Sequence, residues 1–302
     1  MSAVPDARQA GLVVGAHRRH FEVEIDDDGG MLDCLQKGRS RQVACGDRVE
    51  IAVIAGGGAI ESVAPRSSLV YRSDGFREKL IAANATQIVG VVAADLSVDE
   101  ELIYRWMIAA EAQGCRFVLA ANKRDLPEFP AFAERLVPIS KLGIAVVATS
   151  AREDIAALVP WLSGQRSVLV GQSGMGKSTI INALAPGAAA RTEIVSAALH
   201  TGRHTTTATR LYRLPALTRD TWIVDSPGMK AFGLAHIGPE ALERAFPEMR
   251  PYIGHCRFRD CRHDREPGCA IRAAVAAGAI PPFRLALLHT LIRDSAVARK
   301  SG

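Results

Sequence analysis

Alternating apolar and polar positions organise the first part of the chain. The apolar members of this pattern are Phe21, Val23, Ile25, Val49, Ile51, Val53, Ile60 and Val63. Gly and Asp residues separate the alternating stretches, as in the turn "CGD" before the second of them. Short, half-buried strands between such turns predict a small β-barrel. An OB-type barrel fits the length of residues 1–66, although the periodicity alone also allows an SH3-like barrel.

Continuous apolar runs replace the alternation after about residue 67. They are "TQIVGVVAA" (86–94), "RFVLAAN" (116–122), "IAVVATS" (144–150), "RSVLVGQS" (166–173) and "TWIVDSPG" (221–228). Runs of this kind are typical of parallel strands that are buried on both faces. The stretches 100–113 and 151–163 between them predict helices. The pattern therefore predicts a doubly wound α/β domain over residues 67–235.

The last segment, residues 236–302, is rich in Arg, His and Ala. Within it, "IRAAVAAGAI" and "LALLHTLIRDSAV" predict short helices. We therefore expect a multidomain protein with a β-barrel over 1–66, an α/β domain over 67–235 and a mainly helical domain over 236–302.

Composition narrows the class of protein. The chain has 302 residues, 48% of them hydrophobic and 23% charged, which is ordinary for a globular protein. No apolar run approaches the roughly 18 residues that cross a bilayer. The N-terminus does not predict a secretory signal, so we expect a cytoplasmic protein without a membrane partner.

Charge is unevenly distributed. Residues 1–66 hold 8 Lys and Arg against 10 Asp and Glu, residues 67–235 hold 18 against 15, and residues 236–302 hold 11 against 7. The last segment also holds four histidines. The excess of basic residues is therefore greatest in the last segment. Basic surfaces can bind nucleic acid by neutralising its phosphates.

The stretch "GQSGMGKST" predicts a phosphate-binding loop, because it follows an apolar strand and opens the helix "STIINAL". Its backbone N–H groups and the helix N-terminus favour phosphate. We expect Lys177 to reach the β- and γ-phosphates as a binding and catalytic group, and Ser178 to bind Mg²⁺. The candidate nucleotide contacts are Gly171, Gln172, Ser173, Gly174, Met175, Gly176, Lys177, Ser178 and Thr179.

The stretch "DSPG" ends the strand at 221–225. A carboxylate at Asp225 can hold Mg²⁺, commonly through a water, and Gly228 can offer its N–H to the γ-phosphate. In the polar segment "HTGRHTTTATRLY" (200–212), either Thr206 or Thr207 can supply a second hydroxyl to Mg²⁺. Position 229 is Met and cannot orient a water, so His204 is a candidate catalytic residue. The alternative is that His204 is a loop histidine that contacts a partner or solvent.

A guanine-binding pattern, "NKRD", lies at residues 122–125. Asp125 can accept both N1–H and N2–H of guanine, which adenine does not offer. We expect Asn122 to brace the loop and the stem of Lys123 to lie along the base. The stretch "TSA" follows the next strand, where Ser150 or Ala151 can present a backbone N–H to guanine O6. These motifs precede the phosphate loop, so their order is a cyclic rearrangement of the usual one, which the carboxyl edge of a sheet permits.

Four candidate metal ligands lie close together near the end of the chain: Cys256, Cys261, His263 and Cys269. Three thiolates and one imidazole at this spacing predict one structural, tetrahedral Zn²⁺, although the adjacent His255 is an alternative ligand. A short charged segment gains stability from such a metal. Arginines at 257, 259, 262 and 265 surround the cluster and can face RNA phosphates or solvent.

The permuted motif order, "GRHTTT", "DSPG" and the cysteine–histidine cluster together resemble the RsgA/YjeQ family of small ribosomal subunit biogenesis GTPases. The resemblance implies an OB-fold barrel, a permuted GTPase domain and a zinc domain. It implies a GTP hydrolase that binds the 30S subunit late in maturation, is stimulated by it, contacts 16S rRNA through the barrel and zinc domains, and leaves after hydrolysis. It also favours His204 as catalytic. Two features depart from the family pattern: the barrel is net acidic, and the end of the chain is short and aliphatic.

Two other classes of function compete with this interpretation. A P-loop kinase or ATPase would not need Asp125 to select guanine. An RNA-binding scaffold would use GTP only as a structural ligand. Nothing in the sequence predicts an obligate dimer, so we expect a monomer.

Overall fold

The computed structural model describes residues 8–17, 19–36, 43–54, 56–73, 78–186, 209–226, 232 and 234–301. They fall into two compact units. The first is drawn from Met1–Tyr71, Leu80–Val98 and Arg116–Lys230, and the second from Arg72–Lys79, Asp99–Cys115 and Ala231–Gly302. The expected domain limits at 66/67 and 235/236 stay predictions.

Five strands of the first unit close into a barrel: β1 (Arg8–His17), β2 (His20–Ile25), β3 (Met31–Gln36), β4 (Arg48–Ile54) and β5 (Gly57–Val63). Strand β1 pairs antiparallel with both β2 and β4, and β2 pairs antiparallel with β3. The ring is completed because β5 pairs parallel with β3 and antiparallel with β4. This confirms the predicted barrel, with the closed strand order β1-β2-β3-β5-β4 that suits an OB-fold.

The barrel interior follows most of the predicted alternation. Its buried residues are Val13, Phe21, Val23, Ile25, Cys34, Val43, Val49, Ile51 and Ile60. Val53 departs from the pattern, since 40% of it is exposed. The pairing of β4 with β5 shifts register between Glu50 and Ile51, where Glu61 is the additional residue on β5. Along β4 the alternation ends after Ile51, since Ala52 is buried and Val53 is exposed.

The parallel part of the sheet contains β8 (Gln87–Ala93), β9 (Arg116–Asn122), β10 (Ala145–Ala148), β11 (Arg166–Val170) and β13 (Trp222–Asp225). Its order is β10-β9-β8-β11-β13, and every neighbouring pair is parallel. Each residue of β8 is buried, as the continuous apolar run predicts. Strands β6 (Leu69–Ser73) and β7 (Glu78–Ala83) precede β8 in the chain.

Strand β12 (Thr209–Arg213) joins the barrel to this sheet. It pairs antiparallel with β13 on one side and with β1 on the other, where Ala16 is opposite Thr209. Ion pairs reinforce the junction: Arg210 contacts Glu22 at 2.7 Å and Arg213 contacts Glu24 at 2.8 Å. The barrel and the parallel strands therefore form one continuous hydrogen-bonded sheet.

The described helices are α1 (Glu100–Ala112), α2 (Phe129–Arg135), α3 (Val137–Ser140), α4 (Val159–Leu162), α5 (Lys177–Leu184), α6 (Pro239–Arg244), α7 (Ala270–Ala276) and α8 (Pro282–Ser301). The helix predicted over 151–163 is wrong in its first half. Ser150 and Asp154 exchange backbone hydrogen bonds of 3.1 and 2.8 Å, which closes a tight turn. Helical structure begins only with a 3₁₀ turn at Ala156–Leu158.

In the second unit, Arg284 on α8 holds three elements together. Its side chain is fully buried, its guanidinium stacks 4.8 Å from the ring centre of Tyr104 and 4.5 Å from that of Phe246, and its Nε donates to Glu248 at 2.5 Å. Tyr104 belongs to α1, and Glu248 to the 3₁₀ helix Pro247–Tyr252. Helix α8 spans 20 residues and is thus much longer than expected. Across the described chain, no helix has the length and apolar character needed to span a membrane.

Candidate functional site

The predicted nucleotide motifs meet at one edge of the sheet. In strand order β10-β9-β8-β11-β13, "TSA" follows β10, "NKRD" spans the end of β9, the phosphate loop follows β11, and "DSPG" begins at the last residue of β13. All five strands are parallel, so their carboxyl ends share that edge. In open α/β sheets this edge is where ligands bind.

The phosphate loop has the backbone that its glycines predict. Gly176 has φ +97° directly before α5, and a Cβ at this position would overlap the side-chain nitrogen of Asn122. At Gly171 a Cβ would lie 2.6 Å from the carbonyl oxygen of Val91. Both positions therefore exclude larger residues. The N-terminus of α5 then points its free N–H groups toward the loop, as anion binding requires.

Lys177 is buried beneath this loop. Its Nζ donates to the carbonyl oxygens of Gly171 at 2.8 Å and Gln172 at 3.0 Å. Burial lowers its pKa, against the opposing effect of the carboxylate of Asp225. Two backbone carbonyl oxygens of the loop therefore hold the ammonium group in place.

Asp225 has the properties of a cation ligand. Burial raises its pKa to about 6, against the opposing charge of Lys177, and its Oδ1 is buried with no hydrogen-bond partner in the described part of the chain. The neighbouring Ser226 is anchored by a 2.5 Å hydrogen bond to the carbonyl oxygen of Leu169. A buried carboxylate oxygen without a hydrogen-bond donor among the described residues fits Mg²⁺, which prefers oxygen ligands, and the exposed hydroxyl of Ser178 is a second candidate ligand.

Asn122 links the base-binding and phosphate loops. It is 2% exposed, its Nδ2 donates to the carbonyl oxygen of Met175 at 3.0 Å, and its Oδ1 accepts from the N–H of Ala151 at 3.0 Å. One side chain therefore fixes the end of β9 against the loops that follow β10 and β11.

The rest of "NKRD" is held from both sides. Lys123 has φ +63° and contacts Asp95 at 2.6 Å, and Arg124 contacts Asp154 at 3.0 Å. Asp125 is exposed, and a hydrogen bond with the side chain of Ser150, aided by its own backbone N–H, holds its pKa below the usual range. Asp125 is therefore an ionised acceptor that faces solvent.

The "TSA" turn has fewer free donors than we expect for guanine O6. The N–H of Thr149 donates to Ala121, that of Ser150 to Asp154, and that of Ala151 to Asn122. A hydrogen bond from this turn to the base therefore requires that one of these N–H groups be shared or exchanged.

Four predicted site residues lie outside the described residues: His204, Thr206, Thr207 and Gly228. Their roles stay predictions. The structure does place the strand that follows the "GRHTTT" segment, since β12 begins at Thr209 and Arg210 is paired with Asp225 in the ladder with β13.

The predicted metal ligands form a tight cluster in the second unit. The ligand atoms of Cys256, Cys261, His263 and Cys269 all lie within 4.8 Å of one another. The sulfurs of Cys256 and Cys269 are 3.9 Å apart, and the Nδ1 of His263 is 3.6 and 3.3 Å from them. Zinc–sulfur bonds of about 2.3 Å at tetrahedral angles separate two sulfurs by roughly 3.8 Å. The cluster therefore has the donor set and the spacing of a structural Zn²⁺ site, and His255 is not part of it.

Glu243 is a site residue that the sequence analysis missed. It lies on α6, and its carboxylate contacts the Nε2 of His263. A carboxylate at this position fixes the imidazole tautomer so that Nδ1 faces the thiols. No local pattern signals it, because 20 residues separate the two side chains.

Fold and site together define a circularly permuted P-loop protein with a guanine-binding motif. The chain matches the family described as RsgA GTPase over residues 63–235. Two relatives carry the name "Small ribosomal subunit biogenesis GTPase RsgA". The relative from Nitrosomonas europaea is 47% identical to this chain, and the match covers 94% of this chain and 90% of the relative. The relative from Nitrosospira multiformis is 48% identical, and the match covers 93% of this chain and 90% of the relative. The chain therefore belongs to the RsgA GTPase family, and its reaction is hydrolysis of GTP.

Solved structures agree with this assignment. The crystal structure of YjeQ from Thermotoga maritima has a TM-score of 0.70 at 27% identity and covers 96% of this chain and 99% of its own. The structure of YloQ, described as a circularly permuted GTPase, has a TM-score of 0.66 at 23% identity and covers 96% of each chain, which supports the fold. Both matches extend over the barrel, the parallel sheet and the helical unit.

Proposed function

We propose that this GTPase acts in late maturation of the small ribosomal subunit, that the 30S subunit stimulates hydrolysis, and that the protein leaves once GTP is hydrolysed. The shared name of its close relatives supports the pathway. The single observation that carries the chemistry is the side chain of Asn122, which joins the guanine motif, the "TSA" turn and the phosphate loop at one sheet edge.

At that edge, Asp125 selects guanine and Lys123 lies along the base. The phosphate loop, Gly171 to Thr179, encloses the phosphates, and the ammonium of Lys177 faces the β- and γ-phosphates. Ser150 and Ala151 border the base, and the N–H of Gly228 meets the γ-phosphate. His204 acts on the attacking water as the catalytic histidine.

Ser178 and Asp225 hold Mg²⁺ with one hydroxyl from Thr206 or Thr207. The ion, when bound with GTP, supplies positive charge to the β- and γ-phosphate oxygens. The orphaned, buried Oδ1 of Asp225 supports this assignment, because a carboxylate oxygen without a donor favours a cation.

The cysteine–histidine cluster holds one structural Zn²⁺. Four protein ligands fill a tetrahedral shell, so the ion has no open position for catalysis. It stabilises residues 253–268, between the 3₁₀ helix Pro247–Tyr252 and α7, where turns and loops replace regular structure and His263 is the one buried residue.

The surface around this cluster suits 16S rRNA. The exposed side chains there are Arg257, Phe258, Arg259, Arg262 and Arg265. The guanidinium of Arg257 lies 5.6 Å from the ring centre of Phe258, which is 42% exposed. Arginines bind phosphates, and an exposed aromatic ring stacks on unpaired bases, as single-stranded RNA recognition requires.

The barrel contributes a second RNA contact despite its acidic composition. Several of its carboxylates are already neutralised: Glu22 and Glu24 by arginines of β12, and Asp47 by Arg66 at 2.7 Å. The unpaired negative charge is therefore smaller than the composition suggests. We place the protein in the cytoplasm as a monomer.

Phosphate release from GTP and from ATP, with and without purified 30S subunits, tests this function. We expect turnover of GTP alone and a strong rise with the subunit. GTP turnover indifferent to the subunit would contradict the ribosomal role while leaving the GTPase intact, and would favour a scaffold in which GTP is a structural ligand. If the 30S subunit does stimulate hydrolysis, His204→Ala should lose the stimulated rate and keep the GTP affinity.

A further inference from the structure

The turn after β8 lies between the two halves of the nucleotide site. Strand β8 is hydrogen-bonded to β9 on one side and to β11 on the other, and Ala93 at its end is in register with Asn122. Residues 94–96 follow as a turn. The guanine motif ends one neighbouring strand and the phosphate loop follows the other, so this turn is placed where a ligand would span them.

Side chains of this turn contact both loops. The two carboxylate oxygens of Asp95 lie 2.7 and 2.6 Å from the Nζ of Lys123. On the other side, a Cβ added to Gly174 would lie 3.1 Å from the Cδ1 of Leu96. The turn is thus packed against the phosphate loop while it binds the lysine of "NKRD".

Both the backbone and the side chain of Lys123 adopt conformations that need stabilising contacts. Its backbone has φ +63°, a left-handed conformation that is uncommon for a residue with a Cβ. Its side chain is a flexible four-carbon stem, 27% exposed, and ordering such a stem costs conformational entropy. If the stem is ordered by Asp95 in the free protein, that cost is not part of nucleotide binding.

The next residue of the loop is held in the same way from the opposite side. Arg124 contacts Asp154, which belongs to the turn after β10. Two consecutive side chains of the guanine motif are therefore held by carboxylates from the loops after β8 and β10. Both ion pairs join the guanine motif to a loop at the same edge of the sheet.

We infer that Asp95 is a positioning residue of the nucleotide site: it holds Lys123 so that the lysine stem is already in place for the guanine base. The inference rests on the proposed role of Lys123 at the base. The role assigned to Asp95 is not catalytic, because it acts through the side chain of Lys123. It should therefore affect nucleotide affinity and KM, and leave kcat unchanged.

The test is a double-mutant cycle with Asp95→Asn, Lys123→Ala and the double variant, in the full-length protein. The probe is GDP, whose Kd is measured by calorimetry at low and high ionic strength. We expect Asp95→Asn to weaken GDP binding roughly two- to fivefold at low ionic strength, with a smaller effect in high salt. In the Lys123→Ala background the same substitution should have no further effect.

Two further variants separate positioning from a general structural role. Asp95→Glu keeps the charge and should recover part of the affinity. Asp26→Asn removes a comparable exposed carboxylate that pairs with Arg48 in the barrel, and should leave the Kd for GDP unchanged. Steady-state GTP hydrolysis by Asp95→Asn should show a raised KM at the wild-type kcat.

An unchanged Kd for Asp95→Asn at low ionic strength would overturn the inference, and so would an equal loss in the Lys123→Ala background. Tighter binding would also overturn it, since the ion pair would then compete with the nucleotide. A wild-type protein that binds ADP as tightly as GDP would instead contradict the proposed guanine site itself, so the two failures are distinguishable.

Discussion

The side-chain nitrogen of Asn122 donates to the backbone oxygen of Met175 at 3.0 Å, although 53 residues separate the two in the chain. In the same side chain, Oδ1 accepts from the N–H of Ala151 at 3.0 Å. Both polar atoms of a buried amide are therefore used between loops that follow three different strands. This relationship explains how a rearranged order of motifs still yields a single site.

Asn122→Ala should destabilise the protein and weaken nucleotide binding together. It removes the partners of two backbone groups in a site that is almost inaccessible to water, at a cost of about 1–3 kcal/mol. Urea unfolding and the Kd for GDP measure the two effects. Asn182→Ala on the exposed face of α5 is the matched control and should alter neither. Wild-type affinity in Asn122→Ala would mean that the bridge does not organise the site.

Gly176→Ala should lose nucleotide affinity beyond its effect on stability. A Cβ at φ +97° is strained by about 1–2 kcal/mol, and it also overlaps the side-chain nitrogen of Asn122. We expect GDP to bind at least about tenfold more weakly. Gly164→Ala is the matched control, because Gly164 has φ +71° with open space around its Cβ position. That variant should show the strain in urea unfolding and keep the affinity; equal affinities in both variants would contradict this account.

The sequence predicts those parts of the molecule that depend on local pattern. The continuous apolar runs locate the parallel strands, because strands buried on both faces cannot alternate. Strand β9 matches its predicted limits at 116–122. The metal cluster is also predictable, since four ligands within a short stretch need little tertiary structure to converge.

What the sequence does not predict depends on contacts between distant residues. The start of the helix predicted at 151 is replaced by a turn, because Ser150 and Asp154 pair with each other. The roles of Glu243 and Asp95 cannot be predicted from a local pattern, because each contacts a residue at least 20 positions away. The alternation pattern also does not predict the exposure of Val53 near the end of β4.

Asp125→Asn should relax the choice of base. The carboxylate accepts two N–H donors of guanine, and an amide replaces one acceptor by a donor, so GDP binding should weaken about 10- to 100-fold. Xanthine nucleotides, which present an oxygen in place of the guanine amino group, should bind more tightly than to the wild type. Competition binding with GDP, XDP and ADP measures this. Asp220→Asn, in the exposed turn before β13, is the control that should change none of the three. An unaltered order of affinities would show that Asp125 does not contact the base.

Glu243→Gln should weaken the proposed zinc site without removing a ligand. The carboxylate contacts the Nε2 of His263, and loss of such a partner commonly lowers metal affinity about 10- to 100-fold. Competition with a chromophoric zinc chelator measures the affinity. Thermal unfolding with and without the chelator should show a larger loss of stability for Glu243→Gln than for the wild type at equal chelator concentration, since the metal binds only the folded segment.

Glu240→Gln, on the exposed side of the same helix α6, is the matched control for that variant. It changes the helix charge equally and should keep wild-type zinc affinity. His263→Ala removes a ligand and should abolish tight zinc binding. The zinc affinity of Glu243→Gln should therefore lie between those of Glu240→Gln and His263→Ala. Equal zinc affinities for Glu243→Gln and Glu240→Gln would contradict the role of Glu243. A wild-type chain that holds no zinc after purification and takes up none would contradict the metal site itself, because three thiolates and an imidazole at these distances should bind it tightly.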